Sequence, residues 1–461
     1  MDLYRVPNVI YLCVSASQHE EQFFWGQALK LETTQITAAI EALEPYMIDT
    51  LSAFVRAESP SGAEEPAAEF MEQALRDLGL EPERIKLDNE LLKDLPLFAC
   101  PCSPDNGRYN LLARYVPEKA TGRSVLFNGH LDIVPTGPEK MWSNPPFSPV
   151  VKDGWLYGRG SGDMKAGIVC SLAAFKALRN LGVEPAATVG FNAVLNEEDG
   201  GNGSLATIHA LKNALAKAKL QDFDAAIIPE PFGETMLSAQ VGVFWMFVEL
   251  TGRPAHVAYM TKGVNPIEAG IAVMADLKEL EAEWNAPENR PALFKDEPHP
   301  INFNLGRIEG GEWNSSVPCT CTLGTRISFF PDMDPEEAKR IVSERVRATV
   351  ARLNSSLDLN LRFEGQFAPG CEFDLEAPAM RTLAQAHAKI TGAEPKRIAC
   401  TACTDARHFR LMTDMPVTCY GPLAKDIHGI DECVSLDSMK RVAAAMAQFI
   451  VDWCGVQELK N

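Results

Sequence analysis

No stretch of about 18 consecutive apolar residues occurs in the 461-residue chain, which excludes a transmembrane helix. Positive charge is also scarce, since 43 Lys and Arg residues stand against 62 Asp and Glu residues for a net charge of −19. Nucleic acids and anionic membranes need a basic binding face. The sequence therefore predicts neither as a partner.

The cysteines lack the dense spacing of a small disulfide-stabilised domain. Twelve of them are scattered through the chain, which is typical of reduced thiols in the cytoplasm. Residues 6–16 are apolar and end in small residues, but Asp2 offsets Arg5, so the positive start of an export signal is missing. We expect a cytoplasmic protein in which residues 1–35 are an N-terminal extension without a role in the chemistry.

The chain is longer than one hydrophobic core usually covers, which predicts two domains. Buried strands alternate with amphipathic helices, and this alternation predicts an α/β fold with a mixed sheet flanked by helices. The strands are expected at 123–128, 188–196 and 224–228, and the helices at 36–56, 63–79 and 165–181.

The middle of the chain has a different order of elements, β-α-β-β-α-β, which predicts an inserted ferredoxin-like α+β domain. Its strands are expected at 242–251, 301–308, 319–329 and 357–364, and its helices at 266–285 and 334–353. The predicted division is therefore an α/β domain of residues 36–237 and 369–461, with an inserted domain of residues 238–368.

Three predicted strands end in candidate metal ligands, namely His130, the Glu197–Glu198 pair and Glu230. Working residues of an α/β sheet gather at the carboxyl ends of its strands, and imidazole with carboxylate suits a reactive zinc site. Asp132 lies two residues after His130 on the same strand face, where its carboxylate can accept the imidazole N–H. Taken singly, each signal is also compatible with a polar turn or a structural histidine.

Taken together, these motifs resemble the M20 family of metallohydrolases, which includes acetylornithine deacetylase, succinyl-diaminopimelate desuccinylase, aminoacylase and carboxypeptidase G2. The resemblance begins near residue 40 and runs to the C-terminus. It is carried by the residues 128–165, 196–198, 229–231, 252–256, 310–318, 404–407 and 427–429.

The resemblance implies a site with two divalent ions, zinc by preference and Co²⁺ or Mn²⁺ as alternatives. Asp163 would bridge the ions, His130 and Glu230 would complete one coordination shell, and Glu198 and His428 the other. Glu197 would act as general base and Asp132 as a catalytic residue behind His130. The family also implies a cis peptide between Asp163 and Met164. A single-metal enzyme or a manganese enzyme is the alternative, since carboxylate-rich sites accept several divalent ions.

The resemblance also implies that residues 36–237 and 369–461 are the catalytic domain and residues 238–368 a lid and dimerisation domain, and it assigns residues outside the metal site. His256 would reach across a homodimer to the partner's active site and stabilise the oxyanion. Asn314 and Arg326 of the lid, with Arg407, would bind substrate, although an arginine on a strand is often only solvated or paired. Cys400 and Cys403 stand where the family has small residues.

The predicted activity is hydrolysis of a linear amide in a small N-acylated amino acid or related amine. Trp142, Pro146, Phe147 and residues 310–318 are most similar to the deacetylase and desuccinylase branch. A dipeptidase, aminopeptidase or carboxypeptidase is the alternative within the same chemistry. A non-catalytic binding protein is the rival from another class, and its mark would be a lost ligand or base, which this sequence does not have.

Overall fold

A computed structural model describes residues 31–102, 104–105, 107–218, 223–354 and 356–459. Within these ranges no helix is long and apolar enough to cross a membrane. The helices are α1 Thr33–Glu41, α2 Glu44–Arg56, α3 Glu65–Asp77, α4 Asn89–Leu92, α5 Ala166–Asn180, α6 Asn202–Ala218, α7 Pro266–Trp284, α8 Pro335–Leu353, α9 Pro378–Thr391, α10 Ala406–Met412 and α11 Leu436–Cys454. The strands are β1 Glu83–Lys86, β2 Tyr109–Tyr115, β3 Val125–His130, β4 Val150–Lys152, β5 Trp155–Tyr157, β6 Val183–Pro185, β7 Val189–Val194, β8 Ala226–Ile228, β9 Met236–Gln240, β10 Gly242–Thr251, β11 Ala255–His256, β12 Phe303–Gly310, β13 Ser316–Val317, β14 Thr320–Phe329, β15 Asp358–Ala368, β16 Cys371–Glu372, β17 Arg397–Cys400, β18 Val417–Cys419, β19 Ala424–Lys425, β20 Cys433–Ser435 and β21 Val456–Glu458.

The largest sheet has six strands in the order β1-β2-β7-β3-β8-β18. Strands β7, β3, β8 and β18 run parallel, whereas β1 and β2 are antiparallel additions at one edge. All residues of β3, β7 and β8 are buried, and α11 packs against α5, α9 and α1. This mixed sheet with packed helices confirms the predicted α/β class.

The inserted unit is a four-stranded antiparallel sheet in the order β12-β14-β10-β15, with α7 and α8 against it. Side chains alternate along β10, so that Phe244 and Met246 are buried while Trp245 and Phe247 are half-buried on the other face. The ferredoxin-like order of elements is confirmed.

Two separate hydrophobic cores accompany these two sheets. One contains buried residues from 36–237 and 371–454, and the other contains buried residues from 239–368 only. This segregation supports the division at residues 237–238 and 368–369, which we keep as a proposal.

The N-terminal part differs from expectation in two ways. The single helix expected at 36–56 is two helices, because Pro45 at the start of α2 has no N–H and its ring clashes with a continuing helix. The extension expected to reach residue 35 ends earlier, since α1 begins at Thr33 and packs Ile36 into the core. Residues 1–30 lie outside the described ranges.

Candidate active site

The parallel strands deliver their polar ends to one edge of the sheet. His130 is the last residue of β3, Glu197 and Glu198 follow β7, and Glu230 follows β8, the neighbour of β3 on its other side. Asn196 turns the chain before the glutamates with a left-handed φ of 65°, a conformation that asparagine tolerates better than most residues. The order β7-β3-β8 therefore brings the three strand ends side by side.

Asp163 reaches this edge from the turn that precedes α5. The peptide bond between Asp163 and Met164 is cis, as the sequence comparison with the family led us to expect. The buried Lys165 anchors the turn by donating from Nζ to the carbonyls of Phe54 and Ala57, each at 2.9 Å. Burial lowers the pKa of Lys165 to about 7.

The two oxygens of Asp163 face two different histidines. Oδ1 lies 3.1 Å from His130 Nε2, and Oδ2 lies 3.3 Å from His428 Nε2. His130 Nε2 is also 3.9 Å from a Glu230 carboxylate oxygen, whereas His428 Nε2 is 3.2 Å from Glu198 Oε2. The cluster thus consists of two imidazole–carboxylate groups that share the Asp163 carboxylate.

The carboxylates of this cluster are buried close together, so added positive charge would stabilise them. Burial lowers the pKa of His428, but hydrogen bonds with Asp163 and Glu198 outweigh it and raise that pKa to about 11. Burial raises the pKa of both Glu198 and Glu230, and the charge of Asp163 adds to each effect. Glu198 Oε1 is buried without a hydrogen-bond partner among the described residues. Buried carboxylates of this kind need a cation, so the donor set fits divalent metal ions.

Asp132 lies behind His130 but does not make the hydrogen bond that the sequence predicted. His130 Nδ1 is 2.9 Å from the backbone carbonyl of Asp132 and 3.7 Å from its carboxylate. The carboxylate instead accepts the backbone N–H groups of Glu197 at 3.2 Å and Glu198 at 3.1 Å. A buried carboxylate saturates its acceptor capacity with the nearest donors, and here these are the two N–H groups of the turn after β7 and the Ser61 hydroxyl, which donates at 3.0 Å. Asp132 therefore fixes the backbone of the two glutamates.

Glu197 occupies the interior of the cluster. Its Oε1 is buried, has no hydrogen-bond partner in the described part of the chain, and lies 4.0 Å from Arg407 Nη1. Burial raises the pKa of Glu197 well above its usual value, and the neighbouring Asp405 carboxylate adds to this effect. Such a carboxylate is poised to take up a proton.

A buried ion pair that the sequence reasoning missed holds the two loops of the cluster together. Arg159 Nη1 donates to Glu432 Oε2 at 2.6 Å, and Nη2 donates to the carbonyl of Gly429, next to His428, at 2.8 Å. Glu432 Oε1 accepts the N–H groups of Gly162 and Asp163, each at 2.9 Å. The pair therefore links the backbone of Asp163 to the backbone beside His428.

Buried asparagines beneath the site were missed as well. Asn192 Nδ2 donates to Asn128 Oδ1 at 2.6 Å, Asn128 Nδ2 donates to Ser204 Oγ at 3.1 Å, and Ser204 Oγ donates to Asp405 Oδ2 at 2.7 Å. The available signal was an asparagine inside each of two apolar strand runs, where an amide has to find internal partners.

Three residues proposed from the sequence lie on the lid and do not join the cluster. His256 is exposed on β11, which pairs with β13, and Asn314 is exposed in the loop before β13. Arg326, half-buried on β14, donates to the carbonyl of Thr401 at 3.3 Å. Among the described residues, no hydrogen bond or ion pair connects His256 or Asn314 with the cluster.

Arg407 is placed differently from the substrate-binding role expected for it. Its side chain is 0% exposed, and its two terminal nitrogens donate to the carbonyls of Thr404 at 2.8 Å and Gly200 at 2.9 Å. A guanidinium enclosed by backbone carbonyls has its donors directed at the protein and not at a cleft. In this structure Arg407 fixes two loops and faces Glu197, and its substrate-binding role stays a prediction.

The chain is similar in sequence to known proteins. The sequence profile of peptidase family M20/M25/M40 matches residues 126–452. The succinyl-diaminopimelate desuccinylase of Marinobacter nauticus is 27% identical over 72% of this chain and 84% of its own length. The N-formyl-4-amino-5-aminomethyl-2-methylpyrimidine deformylase of Bacillus subtilis is 26% identical over 72% of this chain and 79% of its own.

Among solved structures, a di-peptidase of Saccharomyces cerevisiae has the same fold, with a TM-score of 0.74 at 17% identity, over 91% of this chain and 98% of that one. The family profile covers more than half of the sequence and contains the whole strand-end cluster. The chain belongs to peptidase family M20/M25/M40 and is a metal-dependent hydrolase of amide bonds.

Proposed function

We propose that the chain is a dinuclear amidohydrolase that removes the acyl group from a small N-acylated amino acid or related amine. One observation carries the proposal: the two oxygens of Asp163 face His130 and His428 at 3.1 and 3.3 Å. A carboxylate in this position can bridge two ions. His130 and Glu230 would hold the first ion, and Glu198 and His428 the second.

The protein's own residues supply the proton transfers and the positioning. When bound, the two ions polarise the amide carbonyl and make a water molecule acidic enough to act as nucleophile near neutral pH. Glu197 accepts the proton of that water and later delivers it to the departing amine nitrogen. Asp132 holds the backbone of Glu197 by accepting its N–H, and Arg407 places a positive charge 4.0 Å from its carboxylate. Glu197 is buried, which does not fit a solvated polar turn at the surface.

The identity of the metal and the cellular compartment belong to the same proposal. Two histidines with three carboxylates suit zinc, and Co²⁺ or Mn²⁺ would fit the same donor set. The eleven cysteines in the described ranges are all unpaired, which suits the reducing cytoplasm.

The substrate class rests on the curated relatives. The names of the Marinobacter and Bacillus enzymes give a succinyl and a formyl group as the parts removed, each from an amine nitrogen. Removal of a small acyl group is therefore the first candidate for this chain. Dipeptides are the second, and the fold shared with the yeast di-peptidase makes them the natural comparison.

The first experiment measures metal content and hydrolysis on one sample. We expect about two divalent ions per chain by elemental analysis, since the cluster has two groups of ligands. We expect the purified protein to hydrolyse N-acetyl, N-succinyl or N-formyl amino acids faster than dipeptides. A chelator should abolish the activity and zinc should restore it. A protein that binds no divalent ion would overturn the proposal, and faster cleavage of dipeptides would favour the peptidase alternative.

We further propose a homodimer formed through the lid. One group of exposed apolar residues on the lid contains Val257, Tyr259 and Met260, together with Trp313 in the adjacent loop. Trp313 is 73% exposed and Tyr259 62%, and apolar patches of this kind often mark protein interfaces. His256 and Asn314 lie in the same two segments, so a partner seated there would meet them.

The dimer predicts complementation between two inactive variants. Chains with His256→Ala retain Glu197, and chains with Glu197→Gln retain His256, so a mixed dimer contains one complete site. We expect each variant alone to be weakly active and an equal mixture, after subunit exchange, to regain about a quarter of the wild-type rate.

Sedimentation of Trp313→Glu should give a monomer, whereas Leu91→Glu, at an exposed leucine of α4, should leave the dimer intact. A wild-type monomer in sedimentation, or mixtures no more active than their components, would contradict the proposed dimer.

A further inference from the structure

The loop that carries His428 contains several residues with a left-handed backbone. Within residues 426–431, Asp426, His428 and Asp431 have φ angles of 53°, 60° and 60°. Residues with a Cβ adopt such angles rarely, although aspartate, asparagine and histidine do so more often than others. A conformation of this kind persists only where the surrounding structure holds it. The contacts that hold this loop therefore decide where the His428 imidazole lies.

Asp431 connects the loop to Ser143, which lies 288 residues earlier in the chain. Its Oδ1 accepts the Ser143 N–H at 2.8 Å, and its Oδ2 accepts the Ser143 hydroxyl at 2.6 Å. Hydrogen bonds to a charged acceptor are stronger than those between neutral groups. Because each carboxylate oxygen has its own donor, the direction of the Asp431 side chain is fixed, and the side chain can hold its backbone in the left-handed conformation.

The segment that ends at Ser143 is itself closed by a hydrogen bond. The indole Nε1 of Trp142 donates to the carbonyl of Thr136 at 2.9 Å. The segment begins shortly after His130 at the end of β3. The hydrogen bonds between Ser143 and Asp431 therefore connect the chain that follows His130 with the loop that carries His428.

The two histidines of the cluster differ in how much other support they have. The His130 side chain is 2% exposed and lies at the end of a fully buried strand, so the sheet and its packing fix the imidazole. The His428 side chain is 53% exposed, and its turn is closed by a hydrogen bond from the Gly429 N–H to the carbonyl of Asp426 at 2.8 Å. That bond sets the shape of the turn but does not attach it to the sheet. A loss of external attachment should therefore displace His428 and not His130.

We propose that Asp431 is a positioning residue for His428, so that its hydrogen bonds with Ser143 set the affinity of the second ion and not that of the first. The inference deepens the proposed dinuclear function and rests on it. His428 and Glu198 would hold the second ion, and Asp431 acts on it only through the backbone of the loop. Partners behind a metal ligand typically contribute about 10- to 100-fold in metal affinity.

The chain offers a matched control for this contact. Asp224 Oδ2 accepts the N–H of Ser124 at 2.7 Å and its hydroxyl at 2.8 Å, and both residues are exposed, as is Ser143. Ser124 and Asp224 precede β3 and β8, so they lie at the amino ends of the parallel strands, opposite the cluster. Asp224→Ala therefore breaks the same kind of contact without touching the loop of either histidine.

The test measures the affinity for each of two zinc ions by competition with a chromophoric chelator. In Asp431→Ala we expect one ion to bind as in the wild type and the other to bind about tenfold more weakly. Asp431→Asn should keep most of the affinity, because asparagine retains an acceptor oxygen and tolerates a left-handed φ. Asp224→Ala should leave both affinities at the wild-type value.

A second set of variants shows whether Asp431 acts through His428. Added to His428→Ala, Asp431→Ala should not weaken the remaining ion, because the imidazole that it positions is absent. Added to His130→Ala, which removes a ligand of the first ion, Asp431→Ala should still weaken the remaining ion about tenfold.

Equal weakening of both ions by Asp431→Ala would overturn the inference, as would a loss of the same size in Asp224→Ala or an additional loss in the His428→Ala background. Failure of the inference is distinguishable from failure of the proposed function. Two ions bound with wild-type affinity in Asp431→Ala contradict the role of Asp431 alone. A wild-type protein that binds no more than one ion contradicts the dinuclear function and the inference together.

Discussion

Replacing Glu197 with glutamine should lower kcat by about 10²–10⁴-fold while leaving the metal content unchanged, because general acid–base catalysis contributes about that much. Glutamine has the size of glutamate but cannot take up a proton. Glu197 Oε1 makes no hydrogen bond in the described structure, so the substitution breaks no hydrogen bond at that atom and loses only the charge that faces Arg407 Nη1 at 4.0 Å. Kinetics on the best amide substrate and elemental analysis of the same sample measure both quantities.

Two controls separate this prediction from a general loss of folding. Glu90→Gln, the same exchange at an exposed residue of α4, should keep the wild-type kcat. Thermal unfolding of the Glu197→Gln protein should be close to that of the wild type or higher, since a buried carboxylate next to Asp405 is costly. A Glu197→Gln protein with full metal and full kcat would remove Glu197 from the role of base.

The fold was predictable where side-chain periodicity alone decides an element. Strand β10 begins and ends at the expected residues, and the order of the six lid elements follows from local patterns. The break between α1 and α2 was readable in principle from Pro45. The short strands β16, β17 and β19 were not, because two to four residues carry no period and owe their existence to distant partners such as β9.

Those residues of the candidate site that come directly after a strand, within a recognisable motif, could be predicted from the sequence. The structure brings Asp163 to 3.1 Å from His130 and 3.3 Å from His428, and His428 to 3.2 Å from Glu198. The sequence does not show which hydrogen-bond donors reach a given carboxylate in the folded chain. The Asp132 carboxylate was expected on His130 but accepts the backbone N–H groups of Glu197 and Glu198 in the turn after β7.

The same limit applies to Arg407, whose burial depends on the distance between the turn at Gly200 and the start of α10. It applies equally to Glu432, whose four donors come from a loop about 270 residues earlier in the chain. Both are identified only when loops far apart in sequence are brought together. Their signals in the sequence are single charged residues without a recognisable pattern.

The second large effect is expected at the buried ion pair between Arg159 and Glu432. Glu432→Ala leaves the fully buried Arg159 without its charged partner and releases the N–H groups of Gly162 and Asp163. Breaking a buried pair costs about 3–5 kcal/mol of unfolding free energy. We also expect metal affinity to fall by about 10- to 100-fold, as outer partners of ligands typically contribute that much. Denaturant unfolding and metal titration of the same preparations measure the two losses.

Glu344→Ala provides the matched control, because it breaks the ion pair with Arg340 on the exposed side of α8. It should leave both the unfolding midpoint and the metal affinity unchanged. Glu432→Gln retains an oxygen for the backbone donors but not the charge opposite Arg159. We therefore expect it to recover more of the metal affinity than of the stability. Equal recovery of both would mean that the pair acts on the fold alone, and undiminished metal affinity in Glu432→Ala would show that it does not position Asp163.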